Sequence, residues 1–263
     1  MPIKILLDAG HYGKRNRSPV VPAYYESVQM WKLHLRLKDA LEAYGFTVGV
    51  TREKETDDLE VTKRGRMAKG YDLFLSLHSN AADDRSVNRV SVYRAYDNLN
   101  NAELLGRQFA DTVARVMQVS GGETKTRRGS RGEYYGVMRG ARAAGCPLYY
   151  IIEHSFHTNE YAANWLLDDD NLERLAQSEA DVIRKYYGAD DDASLRGDVN
   201  GDGKLDATDY FMAKRAVLGT LELTPEEAAR ADVDGNGVVD AADYFAIKRA
   251  VLGTLDLGQD DLT

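Results

Sequence analysis

A chain of 263 residues, 43% of them hydrophobic, is long enough for one large domain or for a medium domain beside a small one. No apolar run approaches the roughly 20 residues needed to span a bilayer, and a single cysteine, Cys146, excludes an internal disulfide framework. The formal charge of −8 is unevenly spread: from Ala189 onward there are 17 acidic and 7 basic residues, whereas the stretch before it carries 25 acidic and 27 basic ones. The acidity belongs to the carboxyl-terminal part, two domains are expected, and nothing in the balance points to nucleic acid.

The run "IKILLDAGH" predicts a buried strand beginning at Ile3 and closing at Asp8 and His11. After a loop rich in Lys, Arg and Pro, "ESVQMWKLHLRLKDALEAYG" predicts a helix with Val28, Trp31, Leu35, Leu37 and Leu41 near one face, ending at Gly45. "FTVGVTR" and "YDLFLSLH" predict further buried strands, "NRVSVYRAY" alternates, "AELLGRQFADTVARVM" is amphipathic, and "LYYIIEHSF" is a last apolar strand. Strands alternating with helices imply an α/β fold, its mostly parallel sheet flanked by helices. Chemistry in such folds gathers at the carboxyl ends of the strands.

His11, His78 and Glu153 fall at such strand ends, and Glu26 opens the first long helix. Two imidazoles and a carboxylate form a three-ligand set for catalytic zinc with one position left for water, and a further carboxylate would be free to take that water's proton. Spacing alone does not divide these parts between the two glutamates. Strand-end histidines are often only hydrogen-bonded, and a glutamate opening a helix often only complements its dipole. Asp8 is a candidate partner for His11. Lys14, Arg15, Arg17, Arg127, Arg128 and Arg131 are candidate grips for carboxylates, and Tyr24, Tyr25, Tyr134 and Tyr135 candidate groove residues. His34 reads as a surface or packing residue and Cys146 as a small buried one.

Taken in order, "DAGHYG", Glu26 before a helix, "RGRMAKGYDLFLSLHSNA" and "PLYYIIEHSFHTNE" resemble the zinc-dependent N-acetylmuramoyl-L-alanine amidases of the amidase-3 family, from about Ile3 to Tyr187. The resemblance implies one zinc ion held by His11, Glu26 and His78, with Glu153 as the catalytic carboxylate; Glu153, Phe156 and Asn159 match the family's last motif. It also implies the reaction, hydrolysis of the amide between muramic acid and L-alanine in peptidoglycan. Two departures stand out. The loop "YGKRNRSPVVPAYY" lacks the usual glycine-rich, acidic wording, and His154 and His157 flank the catalytic strand end unusually.

Small, polar and charged, "GADDDASLRG" reads as a linker. Beyond it Asp198, Asn200, Asp202, Lys204, Asp206 and Asp209 occupy positions 1, 3, 5, 7, 9 and 12 of a loop around Gly203, and Asp232, Asp234, Asn236, Val238, Asp240 and Asp243 repeat this around Gly237. That is the ligand spacing of a calcium loop: oxygen donors converge on one ion, position 7 gives only its carbonyl, and glycine permits the turn. Each loop runs into "DYFxxxKRAVLGT", with Tyr, Phe, Ala, Val and Leu spaced for one helical face and Gly219 or Gly253 as a stop; a short helix over "TPEEAAR" precedes the second loop. The segment from 197 to 257 resembles a type I dockerin, which implies two structural calcium ions and a cohesin domain of a scaffoldin as partner. Ala207, Thr208, Ala241 and Ala242, together with the repeated Lys214, Arg215, Lys248 and Arg249, are the expected cohesin-facing residues.

The expected organisation is a catalytic domain at 1–188, a linker at 189–196, the dockerin at 197–257 and a tail at 258–263. A dockerin implies a secreted, extracellular, cellulosome-associated protein whose leader lies outside this sequence. Two alternatives stay open: a weakly catalytic wall-binding module, and a zinc peptidase or deacylase on a similar fold.

Overall fold

The structure, a computed structural model, describes residues 3–130, 132–188, 196–202, 204–255 and 257. Arg131, Gly203, linker residues 189–195 and the tail 258–263 lie outside the described residues. The chain divides into two compact units, Met1–Tyr187 and Gly188–Thr263. The first runs β1 (Lys4–Ala9), α1 (Glu26–Ala43), β2 (Thr47–Val50), α2 (Val61–Arg66), β3 (Leu73–Asn80), β4 (Val90–Tyr93), α3 (Ala102–Met117), β5 (Gly122–Lys125), a short pair β6 (Arg128–Gly129) and β7 (Gly132–Glu133), α4 (Gly136–Ala143), β8 (Leu148–Phe156), α5 (Glu160–Leu167) and α6 (Asp169–Tyr186).

A six-stranded sheet in the order β2-β1-β3-β8-β4-β5 forms the centre. β2, β1, β3 and β8 run parallel, while β4 is antiparallel to β8 and carries β5 parallel to itself. The continuous apolar runs of β1, β3 and β8 follow from burial on both faces. Successive side chains of β8 show what covers each face: Tyr149 meets Arg142 of α4, whereas Tyr150 packs on Phe109 of α3 and His154 meets Glu179 of α6. α1 packs beside α6.

Two local differences from the sequence reading have physical causes. Within α1 the buried face is Met30, Leu33, Leu37 and Leu41, joined by His34. Leu35 is exposed and Val28 and Trp31 are only half-buried, because the apolar residues of this helix fit two overlapping stripes and the sheet takes the other one. β1 begins at Lys4 rather than Ile3.

The second unit holds α7 (Ala207–Val217), α8 (Pro225–Ala231) and α9 (Ala241–Val251) around Val199, Ala213, Ala231, Val233, Ala246, Ile247 and Leu257. Tyr210 and Tyr244, equivalent in the repeat, stack with centroids 5.3 Å apart. The expected single apolar face of each repeat helix is corrected: Phe211, Leu218, Phe245 and Leu252 are all more than half exposed. α7 and α9 bury Ala213, Ala246 and Ile247 and half-bury the Tyr210–Tyr244 pair, while those four apolar side chains stay outside.

Candidate metal centre and active site

β1 delivers His11 two residues past its end, at a positive φ of 58°, with its ring edge-on to that of His78, centroids 5.0 Å apart. Gly10 must be glycine, since a Cβ there would lie 2.5 Å from the His78 ring. Glu26 is the first residue of α1, 1% exposed, where the loop carbonyl of Asn16 accepts its backbone amide and the helix dipole favours a carboxylate. His78 sits near the end of β3, and Glu153 lies opposite it in register on β8, three residues before that strand's end rather than at it.

These elements bring His11, Glu26 and His78 together. His78 Nδ1 is 2.9 Å from Glu26 Oε1 and His11 Nε2 is 3.3 Å from Oε2, with one ligand atom from each residue all within 4.8 Å of one another. Two donors each about 2.1 Å from one tetrahedral ion stand roughly 3.4 Å apart, so this donor set fits a zinc ion. Burial pushes the Glu26 carboxyl up, but hydrogen bonds from His11 and His78 outweigh it and hold the group well below the ordinary carboxylate range. Glu153 behaves oppositely. Burial raises its proton affinity, the nearby Glu26 charge raises it further, and its Oε2 is buried with no hydrogen-bond partner.

Supporting residues follow a different plan from the expected one. Asp8 does not reach His11; its carboxylate accepts from Thr51, Arg64 and Ser76, and Ser76 Oγ stands 3.2 Å from His78 Nε2. Asp8 therefore supports His78, one strand over, through a serine. The sequence reading also missed Asn16, whose Nδ2 lies 2.7 Å from Glu26 Oε2 and 2.9 Å from His11 Nε2. Its signal was present but faint: an asparagine in a loop, here at φ 52°.

Around the centre, Lys14 and Arg17 each lie 5.8 Å from the Tyr25 ring, and Arg15 lies over Tyr12. Arg127 stacks 3.5 Å above Tyr134, beside a Tyr135–Tyr93 pair at 4.8 Å. Tyr24, expected in a groove, is instead fully buried, its hydroxyl donating to Ser79 Oγ at 2.7 Å. Burial pushes the Cys146 thiol up to about 12, which leaves it no nucleophilic role. His34 packs inside, its ring against the Trp31 carbonyl, and burial pushes it down to about 4.

In the second unit the two loops fold alike. Asp209 Oδ1 accepts from Asn200 N, and Asp243 Oδ1 from Asp234 N; Asp202 N and Asn236 N bond back to the side chains at positions 1 and 3 of their loops. Carboxylate oxygens of Asp232, Asp234 and Asp243 lie within 4.8 Å of one another, a donor set suited to calcium. Asp206 and Asp240 cap α7 and α9 in reciprocal boxes with Asp209 and Asp243. Lys204 and Val238 stand at position 7, where only a carbonyl is asked of them. Ala207, Thr208, Ala241, Ala242, Arg215 and Arg249 are exposed, while Lys214 and Lys248 are half-buried.

Fold and site together define an α/β domain with a clustered two-histidine, one-glutamate donor set at the strand ends, followed by a small repeat module. Residues 5–185 match the family model for N-acetylmuramoyl-L-alanine amidase, and residues 196–252 match that for the dockerin type I domain. The chain belongs to the N-acetylmuramoyl-L-alanine amidase family, with a type I dockerin domain at its carboxyl-terminal side. A probable cell wall amidase, LytH of Staphylococcus aureus, is 30% identical over 187 residues, covering 70% of this chain and 58% of that protein. The chain thus spans less than two thirds of the curated relatives it matches. Among solved structures, the catalytic domain of CwlV, an N-acetylmuramoyl-L-alanine amidase from Bacillus (Paenibacillus) polymyxa var. colistinus, superposes with a TM-score of 0.61 at 20% identity over 71% of this chain and 99% of that one. An N-acetylmuramoyl-L-alanine amidase from Clostridium difficile gives 0.62 at 18% identity over 73% and 98%. At such identities these likenesses speak for the fold.

Proposed function

We propose that this chain hydrolyses the amide joining the lactyl group of N-acetylmuramic acid to L-alanine in peptidoglycan, using one zinc ion held by His11, Glu26 and His78. The reading is carried by Glu153, a buried carboxylate with an unpartnered oxygen placed in register beside His78. When bound, zinc polarises the scissile carbonyl and makes water a nucleophile near neutral pH. Glu153 takes the proton of the attacking water and passes it to the alanine nitrogen as the C–N bond breaks, a part worth roughly 10²–10⁴-fold. Its raised proton affinity suits a group that must first accept and then give. Ser76 and Asp8 hold the far nitrogen of His78. In this reading Arg127, stacked on Tyr134, and the Lys14–Arg17 loop would grip stem-peptide carboxylates.

The remaining organisation belongs to the same proposal: a catalytic domain at 1–188, a linker at 189–196, a dockerin at 197–257 and a tail at 258–263. Calcium is held in one loop by Asp198, Asn200, Asp202, Asp209 and the Lys204 carbonyl, and in the other by Asp232, Asp234, Asn236, Asp243 and the Val238 carbonyl. Asp206 and Asp240, engaged as helix caps, act there through water. A scaffoldin cohesin is the partner and the extracellular space the location; no described helix is long and apolar enough to cross a membrane. Digestion of purified sacculi tests the activity, with new amino groups on L-alanine as the expected product. New amines on other residues would turn the reading to a peptidase or deacylase, and wall binding without any product would reduce the domain to a binding module.

A further inference from the structure

Two histidines beside the catalytic strand end have no part in the reading above, and their surroundings give them one. Between the register pairs His78↔Glu153 and Asn80↔Phe156, β8 carries one residue more than β3, so that His154 and Ser155 together face Ser79. Ser155, within this bulge, has a positive φ of 60°, with its Oγ donating to Asn88 Oδ1 at 2.6 Å. A bulge interrupts the ladder, and backbone groups released inside a protein need new partners.

Side chains supply them. His154 Nδ1 lies 2.9 Å from the His78 carbonyl, and His157 Nδ1 lies 3.0 Å from the Ser79 carbonyl. A carbonyl only accepts, so each Nδ1 carries the proton. The Ser79 amide, meanwhile, donates to Glu26 Oε1 at 3.1 Å, the oxygen that also meets His78 Nδ1 at 2.9 Å. The other side of each ring is fixed as well. His154 Nε2 is 2.9 Å from Glu179 Oε1 of α6, both side chains wholly buried, and Tyr24 stacks on His157 at 5.9 Å.

We propose that His154 and His157 are positioning residues of the metal centre: their Nδ1 donors pin the two β3 carbonyls at the bulge, which aims the His78 ring and the Ser79 amide at Glu26. This deepens the zinc reading and rests on it. The competing view is that the two rings only fill space, as a leucine would.

The full chain, stripped of transition metal and kept saturated with calcium, is titrated with zinc against a chromophoric chelator, and its cobalt-loaded form is read by visible absorption. His154→Leu and His157→Leu delete the donors, whereas His154→Asn and His157→Asn keep an amide donor close to the Nδ1 position. The leucine variants are expected to weaken zinc roughly 10–100-fold and to shift the cobalt bands, with the asparagine variants restoring most of both. Leucine variants that melt cooperatively yet keep wild-type affinity and spectrum overturn the proposal, as do asparagine variants no better than leucine. Should the leucine variants fail to fold, Glu179→Met, which keeps the side chain's length while removing the partner of His154 Nε2, decides: shifted cobalt bands support the proposal, and an unchanged spectrum and affinity reject it. A wild-type chain that takes up no zinc sinks the metal-centre reading and this inference with it; a zinc-binding wild type with indifferent variants sinks this inference alone.

Discussion

Two glutamates stand within one small centre, and their environments push their protonation in opposite directions: Glu26 is held ionised by two imidazoles, while burial and the charge of Glu26 raise Glu153. Separate roles follow, and substitutions should separate them. Glu153→Gln is expected to keep near-stoichiometric zinc yet lose about 10²–10⁴ in the rate of wall hydrolysis, whereas His78→Ala loses metal and rate together. Metal analysis beside a dye-release assay reads both; a Glu153→Gln protein that is empty of zinc, or as fast as wild type, reverses the assignment. His11, Glu26, His78 and Glu153 were legible as candidates because they lie at or near strand ends or open a helix, although Glu153 proves to sit within β8 rather than at its end. Asn16 was not, since a loop residue is placed by backbone turns that no periodicity announces. Asp8 was noticed but given to the wrong histidine: the register that sets Asp8 beside Ser76 is a pairing between distant segments.

Elements were read well wherever the apolar period was long. α3 and β8 come out with the expected bounds, while β5, β6 and β7 escaped because strands of two to four polar residues carry no pattern. The bulge in β8 was equally hidden, although His154 and His157 marked its place as a departure from the family wording. Contact between α2 and α4 shows another feature that spacing cannot reveal. Gly65 and Gly140 meet where the helices cross, and a Cβ would stand 1.9 Å from the Val137 carbonyl at the first and 2.3 Å from the Thr62 carbonyl at the second. Those neighbours are backbone and cannot step aside as a flexible side chain would. Gly65→Ala and Gly140→Ala are each expected to destabilise the first unit by about 1–3 kcal/mol or more through overpacking, despite alanine's better helix propensity. Thermal melting with calcium present checks this, and an unchanged or raised midpoint for both variants contradicts the close crossing.

At the scale of the whole molecule, the two units are proposed to depend on different ions. The second has a core of few residues, and its buried acids Asp198, Asp209 and Asp243 point into loops that an ion would neutralise, so calcium binding and folding should be one equilibrium. A calcium-selective chelator is expected to unfold 197–257 and abolish cohesin binding while soluble muropeptides are still cleaved at close to the full rate; circular dichroism beside product analysis distinguishes this from joint loss, which would mean that the units depend on each other. The repeat carries a sharper consequence. From Asp198 and Asp232 onward 18 of 27 aligned residues are identical, and the stacked Tyr210–Tyr244 pair relates the two helices to each other. Each helix therefore shows solvent a matching strip: Thr208, Phe211 and Arg215 on α7 with Leu218 just past its end, and Ala242, Phe245 and Arg249 on α9 with Leu252 just past its end. Both arginines also reach the carbonyl of a threonine past their helix end, Thr220 at 3.3 Å and Thr254 at 3.4 Å, which holds the guanidinium in place without covering it. To a cohesin, the partner proposed above, two equivalent exposed apolar strips would offer two equivalent ways to dock, related by a half-turn. Phe211→Ala with Leu218→Ala should then cost little more than the loss of one of two binding orientations, about twofold, and Phe245→Ala with Leu252→Ala the same, because the intact strip still serves. All four substitutions together should remove binding, and titration calorimetry of the three proteins measures the difference. If either pair alone abolishes binding, the duplication is structural and only one of its faces works.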